Sequence, residues 1–197
     1  MRRWLKYLPT LAVLIAGTVY LSTPPSAKAA SSCADGTALA AQLNAEPANT
    51  TAIVSGCYYI TAPIHLHNTV GLTVKGPATF TQVAANPAGT RPPDASLFFL
   101  SANRNLTLDN FTVNGAYAGT NGGVAYEGSY GILAEANHGL TIRGMTMSNI
   151  QGDFINLQSP NDIVSNGDLN TGVMITSDHF TNAGYHLSLI HISEPTR

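Results

Sequence analysis

The chain has 197 residues, of which 44% are hydrophobic and only 10% are charged, with a formal net charge of −2. This length and apolar content are sufficient for one domain with a buried core. The sparse, acidic charge excludes the basic stripe that marks nucleic-acid-binding proteins, so we expect no nucleic-acid partner.

The first 29 residues predict a secretory signal peptide. Two arginines and a lysine open the chain, an apolar stretch runs from about residue 8 to residue 21, and residues 27–29 (AKA) match an A-x-A cleavage site. The apolar stretch is shorter than the roughly 20 residues of a spanning helix. We therefore expect a secreted or extracytoplasmic protein with no membrane association after cleavage; a retained anchor is the alternative.

The last residues, 187–197 (LSLIHISEPTR), resemble one translated frame of a sequencing-library adaptor. The resemblance implies a non-native tail and a chain truncated after about His186, so no residue of the tail is assigned to a site. Without both terminal segments, four of nine basic and ten of eleven acidic residues remain, a net charge of −6 for residues 30–186. That charge argues against unaided binding of polyanionic glycans.

Residues 30–50 are expected to form an N-terminal cap. The one helical candidate runs from Thr37 to Ala45 and would cover the end of a sheet. Cys33 and Cys57 are the only cysteines of the chain. In an oxidising compartment they predict one disulfide that fixes the cap.

From Thr51 onward, the sequence is typical of short strands separated by Gly and Asn turns. Four segments align, GLTVKG, NLTLDNFTVNG, GLTIRGMTMSN and GVMITSDHFTN, and they are led at intervals of 34, 34 and 33 residues by Leu72, Leu106, Leu140 and Val173. A fixed period indicates stacked units that bury their apolar faces only against one another. Inside the segments, the break after Leu108 and Ile142 predicts a bend between two strands.

A second set of strands precedes three of these segments: FFLSAN, INLQSP and, between them, ILAEAN. They begin at Phe98, Ile155 and Ile132. Asn103 and Asn137 occupy the same turn position after the strand. Their side-chain amides are therefore expected to stack and to hydrogen-bond from one unit to the next.

This pattern resembles the right-handed parallel β-helix repeat of the pectin-lyase-like superfamily, over roughly residues 51–186. The opening TTAIVSGCYYITAPIHL is similar to the first coil of that family. The resemblance implies an all-β, single-stranded solenoid with a short N-terminal capping helix. A propeller or sandwich is the competing all-β fold, but the hairpin turns it requires are missing. Inserted loops at residues 84–94, 117–129 and 161–170 are expected along one side, where they would wall a groove.

The second strand set predicts the candidate site. With Phe98, Ile132 and Ile155 directed inward, the outward side chains form two rows, one of Phe99, Leu133 and Asn156, and the other of Ser101, Glu135 and Gln158. Asp153 precedes the third strand, beside Tyr130 of the previous unit. Carboxylates and amides suit sugar hydroxyls and an aromatic suits a ring face. We therefore expect polysaccharide to contact Tyr130, Glu135, Asn156 and Gln158, with Asp153 and Glu135 as the catalytic candidates.

The resemblance implies two chemistries, and this chain departs from both. Inverting polygalacturonase-like hydrolases use clustered aspartates, whereas Asp153 stands alone here and no Gly-His-Gly follows. Pectate-lyase-like enzymes use Ca²⁺ and a basic residue, for which Arg143 is the only candidate, away from the acidic patch. Ca²⁺ is therefore expected only if the protein is a lyase. A glycan epimerase is a third reading.

Other polar residues favour structural roles. His65 and His67 share a strand face but lack a third metal ligand, so no metal site is predicted. Asp178-His179 is expected in a bend, and Asp162 and Asp168 in a solvated loop. The sequence thus predicts a polysaccharide-binding protein that, if it is an enzyme, is a lyase or glycoside hydrolase. The alternative is a non-catalytic surface protein, an adhesin or a rigid spacer.

Overall fold

The computed structural model describes residues 18–21, 33–90, 93–159, 169–185 and 188–190, with burial of side chains described in the middle three ranges. The predicted signal segment and tail therefore lie outside the described residues, apart from two short strands. Most of the loop predicted at 161–170, with Asp162 and Asp168, also lies outside them.

The regular secondary structure of the described residues is mostly β, with a single α-helix near the N-terminal end. One 3-10 turn, Val124–Tyr126, interrupts a long loop. In chain order the elements are β1 (Thr18–Leu21), β2 (Ala34–Asp35), α1 (Gly36–Asn44), β3 (Thr51–Val54), β4 (Gly56–Ile60), β5 (Ile64–His67), β6 (Thr73–Gln82), β7 (Phe98–Ser101), β8 (Thr107–Asn114), β9 (Ile132–Glu135), β10 (Thr141–Arg143), β11 (Thr146–Ile150), β12 (Ile155–Gln158), β13 (Met174–Thr176), β14 (His179–Ala183) and β15 (Ser188–Ile190).

The strands form two sheets. Within each sheet, all neighbouring strands are parallel to each other. The first sheet has the order β1-β3-β6-β8-β10-β13, with β4 beside β6 and β11 between β8 and β14. The second sheet has the order β15-β12-β9-β7-β5. Because the chain alternates between the sheets, each repeat of the sequence contributes one level to both of them.

The pairing register confirms the predicted alignment of the repeats. In the first sheet Thr73 pairs with Thr107, which pairs with Thr141, which pairs with Met174. Phe98, Ile132 and Ile155 are paired in the same way in the second sheet. Equivalent residues of successive repeats therefore lie side by side, as the spacing predicted.

The predicted bend within each repeat is also present. β10 and β11 are separate strands joined through Gly144, whose φ is +63°. β8 continues through the bend, with Asn110 at a φ of +64°. Glycine and asparagine are the residues that adopt this left-handed conformation most readily, which explains why they occur at the break in the pattern.

A ladder of buried amides connects the repeats at the turn that follows the second sheet. Asn103 Nδ2 donates to Asn137 Oδ1 at 2.9 Å, and Asn137 Nδ2 donates to Asn170 Oδ1 at 3.0 Å. The hydroxyl of Thr69 donates to Asn103 Oδ1 at 2.9 Å and ends the ladder on the N-terminal side. This confirms the predicted stacking of Asn103 on Asn137 and extends it at both ends.

The core lies between the two sheets and is built by the alternate residues of each strand. Phe80 is its aromatic centre: the ring is stacked with Tyr58 and meets Phe98 and Phe111 edge to face, with centroids 5.1 to 5.4 Å apart. Such arrangements are the favoured ones for aromatic pairs. No repeat could bury these side chains alone, since each ring contacts residues of a neighbouring level.

The N-terminal end of the core is covered by α1. Leu39 and Leu43 of this helix are buried, and the Asp35 side chain caps its first turn by accepting a hydrogen bond from the Thr37 backbone at 2.9 Å. A disulfide joins Cys33 to Cys57 and so fixes the segment before α1 to β4. The helix lies where the sequence predicted a cap, one residue earlier at each end.

Candidate functional site

The second sheet presents two rows of side chains on the face opposite to the core. The first row, defined by strand pairing, consists of His65, Phe99, Leu133 and Asn156. The second row consists of His67, Ser101, Glu135 and Gln158. Both rows run across the strands, with neighbouring residues separated by the strand spacing of roughly 4.8 Å.

The second row is accessible and wholly polar. Ser101, Glu135 and Gln158 are half-buried, and His67 is exposed. Gln158 Nε2 donates to Glu135 Oε1 at 2.8 Å. This bond orients the carboxylate and the amide together, because each side chain restricts the rotamers of the other. The row thus offers fixed carboxylate, amide and hydroxyl groups at regular intervals.

The first row was predicted with the correct partners but with the wrong exposure. Leu133 and Asn156 are both 0% exposed, although the pattern predicted that both point outward and that Asn156 contacts a glycan. They alternate with Ile132, Ala134, Ile155 and Leu157 of the core, so they lie on the opposite face, which is covered at these positions. Strand alternation sets the direction of a side chain and does not report whether another segment lies over it.

The side chain of Asn156 is fully buried. Within the described residues, neither its Nδ2 nor its Oδ1 has a partner. A buried amide in this state costs about 1–3 kcal/mol for each unpaired group. As packed, Asn156 does not contact a ligand from solvent.

Tyr130 and Asp153 are neighbours, as predicted, but both are inside the protein. The backbone N–H of Gly131 donates to the carbonyl of Asp153 at 2.9 Å, which places the two chain segments side by side. Tyr130 is 6% exposed and Asp153 is 0% exposed. Of the predicted patch, therefore, Glu135 and Gln158 are accessible to a ligand, while Tyr130, Asp153 and Asn156 are not.

Three loops meet through one glutamine that the sequence analysis did not single out. Gln151 Oε1 accepts from the Asn86 backbone at 2.7 Å, and Gln151 Nε2 donates to the carbonyls of Asn86 and Asn121 at 3.2 and 3.3 Å. Asn86 and Asn121 belong to the predicted loops at 84–94 and 117–129. Those two loops thus lie on the same side of the protein, as expected.

A histidine pair extends the accessible surface to the first level of the second sheet. His65 Nε2 lies 2.7 Å from Ser101 Oγ, and the His65 ring stacks on Phe99 with centroids 4.3 Å apart. Burial lowers the pKa of His65, and the neighbouring His67 lowers it further. The two histidines were recognised in the sequence as sharing one face, but the spacing could not reveal the contact with Ser101, which is 36 residues away.

The other polar candidates have structural partners. Arg143 forms an ion pair with Asp109 at 2.9 Å on the first sheet, away from the two rows. Asp178 Oδ1 accepts from the Met145 backbone at 2.6 Å, in the bend where the sequence placed it. Burial raises the pKa of Asp178 despite this bond. Its position supports a turn-forming role.

Within the described residues, no three His, Cys, Asp or Glu side chains converge in a way that could hold a metal ion. The described part of the chain also contains no helix with the length and apolarity needed to cross a membrane.

Comparisons with known protein families, with curated proteins and with solved structures found no match to this chain.

Proposed function

We propose that this chain is an exported, right-handed parallel β-helix of the pectin-lyase-like kind and that it binds polysaccharide along the second row of the second sheet. The fold part of the proposal is supported by parallel pairing in both sheets, by equivalent residues lying side by side at intervals of 33 to 34 residues, and by the Asn103–Asn137 ladder. Handedness follows from a general rule, since parallel strands are joined by right-handed connections in about 98% of cases.

Export is supported by two independent features. The first 29 residues have the composition of a signal peptide. The disulfide between Cys33 and Cys57 requires an oxidising compartment to persist.

The binding part of the proposal depends on one observation, the hydrogen-bonded pair of Glu135 and Gln158 in register with Ser101 and His67. A linear sugar chain lying across the strands would meet a new polar group at each strand, at intervals of roughly 4.8 Å. Charge-assisted hydrogen bonds from sugar hydroxyls to Glu135 are stronger than those to a neutral acceptor. The net charge of −6 between residues 30 and 186 favours neutral over polyanionic glycans.

Bond cleavage by Glu135 and Asp153 receives less support than binding. A glycosidase needs both carboxyl groups beside the scissile bond, and Asp153 is fully buried. We therefore place glycan binding, rather than hydrolysis by this pair, at the second row. A plain spacer, by contrast, would not need an ordered Glu135–Gln158 pair.

The test is a glycan-array screen of the full chain followed by calorimetry with the best neutral polysaccharide. Glu135→Gln should weaken binding by about tenfold, which corresponds to the loss of about 1.4 kcal/mol. Asp109→Asn is the matched control, because Asp109 is also a half-buried strand carboxylate with a side-chain partner, but on the first sheet. Equal losses in both variants, or no glycan bound by the parent chain, would contradict the proposal.

A further inference from the structure

The first two levels of the second sheet bring a hydroxyl and an imidazole together in a geometry that the glycan-binding proposal does not require. Ser101 Oγ and His65 Nε2 are 2.7 Å apart. This is within the range of about 2.6–3.2 Å that joins a nucleophile to its general base. Ser101 is also half-buried rather than enclosed, so a substrate can approach its oxygen.

The protonation and orientation of the His65 ring are those that a general base requires. Its pKa is lowered, first by burial and then by His67, which favours the neutral form of the ring. With the ring proton on Nδ1, the lone pair of Nε2 accepts the Ser101 hydroxyl proton. Stacking on Phe99 at an interplanar angle of 20° holds the ring in this orientation.

A second imidazole, His67, lies beside His65, with ring centroids 4.7 Å apart. His67 and Ser101 are direct register partners on β5 and β7. Asn68 Nδ2, a hydrogen-bond donor, lies 3.2 Å from His67 Nδ1, which leaves the proton of a neutral His67 ring on Nε2. His67 is exposed and lies beside Ser101 on the neighbouring strand, which makes this N–H the candidate donor to an oxygen that gains negative charge at Ser101.

We propose that Ser101 and His65 form a nucleophile–base pair that removes ester-linked acyl groups from the glycan bound along the second row. The inference takes the nature of its substrate from the proposed function, since Glu135, the register partner of Ser101, belongs to the glycan-binding row. An acyl ester is neutral, which fits the acidic surface. The second sheet thus has a reactive end at β5–β7 and a binding end at β9–β12.

The reaction balances with water as the only co-reactant. Ser101 Oγ bonds to the acyl carbon while His65 Nε2 takes the hydroxyl proton, and His67 Nε2–H stabilises the oxyanion. The bond from the acyl carbon to the sugar oxygen then breaks, and His65 gives its proton to that oxygen. Water next attacks the acyl-serine, His65 takes and returns one proton, and the carboxylic acid leaves with Ser101 restored.

The experiment uses the full chain and a fluorophosphonate probe, which reacts with activated serines and requires no glycan. Intact-mass analysis and peptide mapping should find one adduct, on Ser101. Ser101→Ala should abolish it, and His65→Gln should slow it on the order of 100-fold, the contribution of a general base. Hydrolysis of p-nitrophenyl acetate should follow the same order.

Two matched controls are available in the chain. Ser148 is a half-buried strand serine bonded to Asn114 at 3.1 Å, and His138 is bonded to the Thr171 hydroxyl at 2.8 Å. Ser148→Ala and His138→Gln should be labelled at the parental rate. An adduct on another residue, no adduct on the parent chain, or a parental rate in His65→Gln would overturn the inference.

A second measurement covers the case in which Ser101→Ala does not fold. In Ser101→Cys, iodoacetamide should alkylate the introduced thiol faster than in the Ser101→Cys/His65→Gln double variant; equal rates would count against a base at His65. The outcome for glycan binding is read separately. Glycan binding without labelling overturns this inference alone, whereas labelling without glycan binding contradicts the proposed function and leaves the esterase pair in place.

Discussion

Asn103 Nδ2 donates to Asn137 Oδ1 at 2.9 Å, although the two residues are 34 positions apart in the chain. The same Asn103 amide also donates to the Leu66 carbonyl at 2.9 Å, and Asn137 donates to the Leu100 carbonyl, so each asparagine side chain also bonds to a strand carbonyl of the preceding repeat. Both asparagines are 0% exposed. Since these two side chains are out of contact with water, water cannot replace the hydrogen bonds between them, and this makes the pair a determinant of stability.

Replacing a central member of the ladder should be strongly destabilising. Asn137→Leu removes the Oδ1 that accepts from Asn103 Nδ2 and from the Asn103 backbone N–H, and the Nδ2 that donates to the Leu100 carbonyl, so at least two buried groups lose a hydrogen-bond partner. At about 1–3 kcal/mol for each group, the free energy of unfolding should fall by at least about 2 kcal/mol. Urea denaturation of the full chain measures this loss. A change within experimental error would show that the ladder is not needed.

Replacing a second buried asparagine should have the opposite effect and raise the free energy of unfolding. Asn156 is as fully buried as Asn137, but its amide has no hydrogen-bond partner within the described residues, and its neighbour in the row is Leu133. Asn156→Leu removes two unpaired polar atoms at similar volume and, at about 1–3 kcal/mol for each, should raise the free energy of unfolding by at least about 2 kcal/mol. The same urea experiment measures both variants. A loss of stability would mean that Asn156 has a partner in solution, such as a buried water.

The disulfide of the cap should stabilise the fold, because it restricts the conformations of the unfolded chain. Cys33 and Cys57 are 24 residues apart, and closing a loop of that size stabilises by about 3 kcal/mol in the chain-entropy model. The Cys33→Ser/Cys57→Ser double variant should be less stable by about that amount. Reducing agent should lower the parent to the level of the variant and leave the variant unchanged; a parent insensitive to reduction would contradict the prediction.

Stability should depend on pH through His65. Its pKa is lowered in the folded protein, first by burial and then by His67, so the unfolded chain, with a histidine pKa of about 6.5, takes up the proton first as the pH falls. The contribution of His65 is therefore complete above pH 6.5 or so and is lost as the pH falls through the folded pKa. The pKa of Asp178 is shifted upward and acts in the opposite direction.

The measurement compares the parent with His65→Gln, because both chains contain Asp178. The difference in free energy of unfolding between pH 8 and pH 5 should be smaller in His65→Gln. Titration of the His65 ring by NMR checks the cause directly, since its midpoint should lie below that of a histidine in a denatured chain. A midpoint at or above the ordinary value would remove the basis of the prediction.

Much of the architecture could be predicted because it repeats. Leu72, Leu106, Leu140 and Val173 are the leading residues of the four segments, and the strands that follow them pair in the predicted register. The bend at Asn110 and Gly144 and the turn at Asn103 and Asn137 were visible for the same reason. A parallel sheet places equivalent residues of each repeat side by side, so the period of the sequence becomes a spacing in the structure.

The candidate site was less predictable, as three of its residues show. Tyr130, Asp153 and Asn156 were expected to meet a glycan, and all three are buried. The neighbouring Gln151, which joins loops of different repeats through Asn86 and Asn121, carried no signal in the sequence. Loops are not periodic, so their contacts cannot be obtained by aligning one repeat with the next.

The sequence by itself determined the direction of each strand side chain and its neighbour on the next level, because alternation and a fixed period are local properties of the chain. Only the tertiary structure decided which outward positions remain open to solvent, leaving Glu135 and Gln158 accessible while Leu133 and Asn156 are covered. It alone also placed His65 within 2.7 Å of Ser101. Burial and side-chain contact depend on segments far apart in the chain, and their approach is set by packing of the whole.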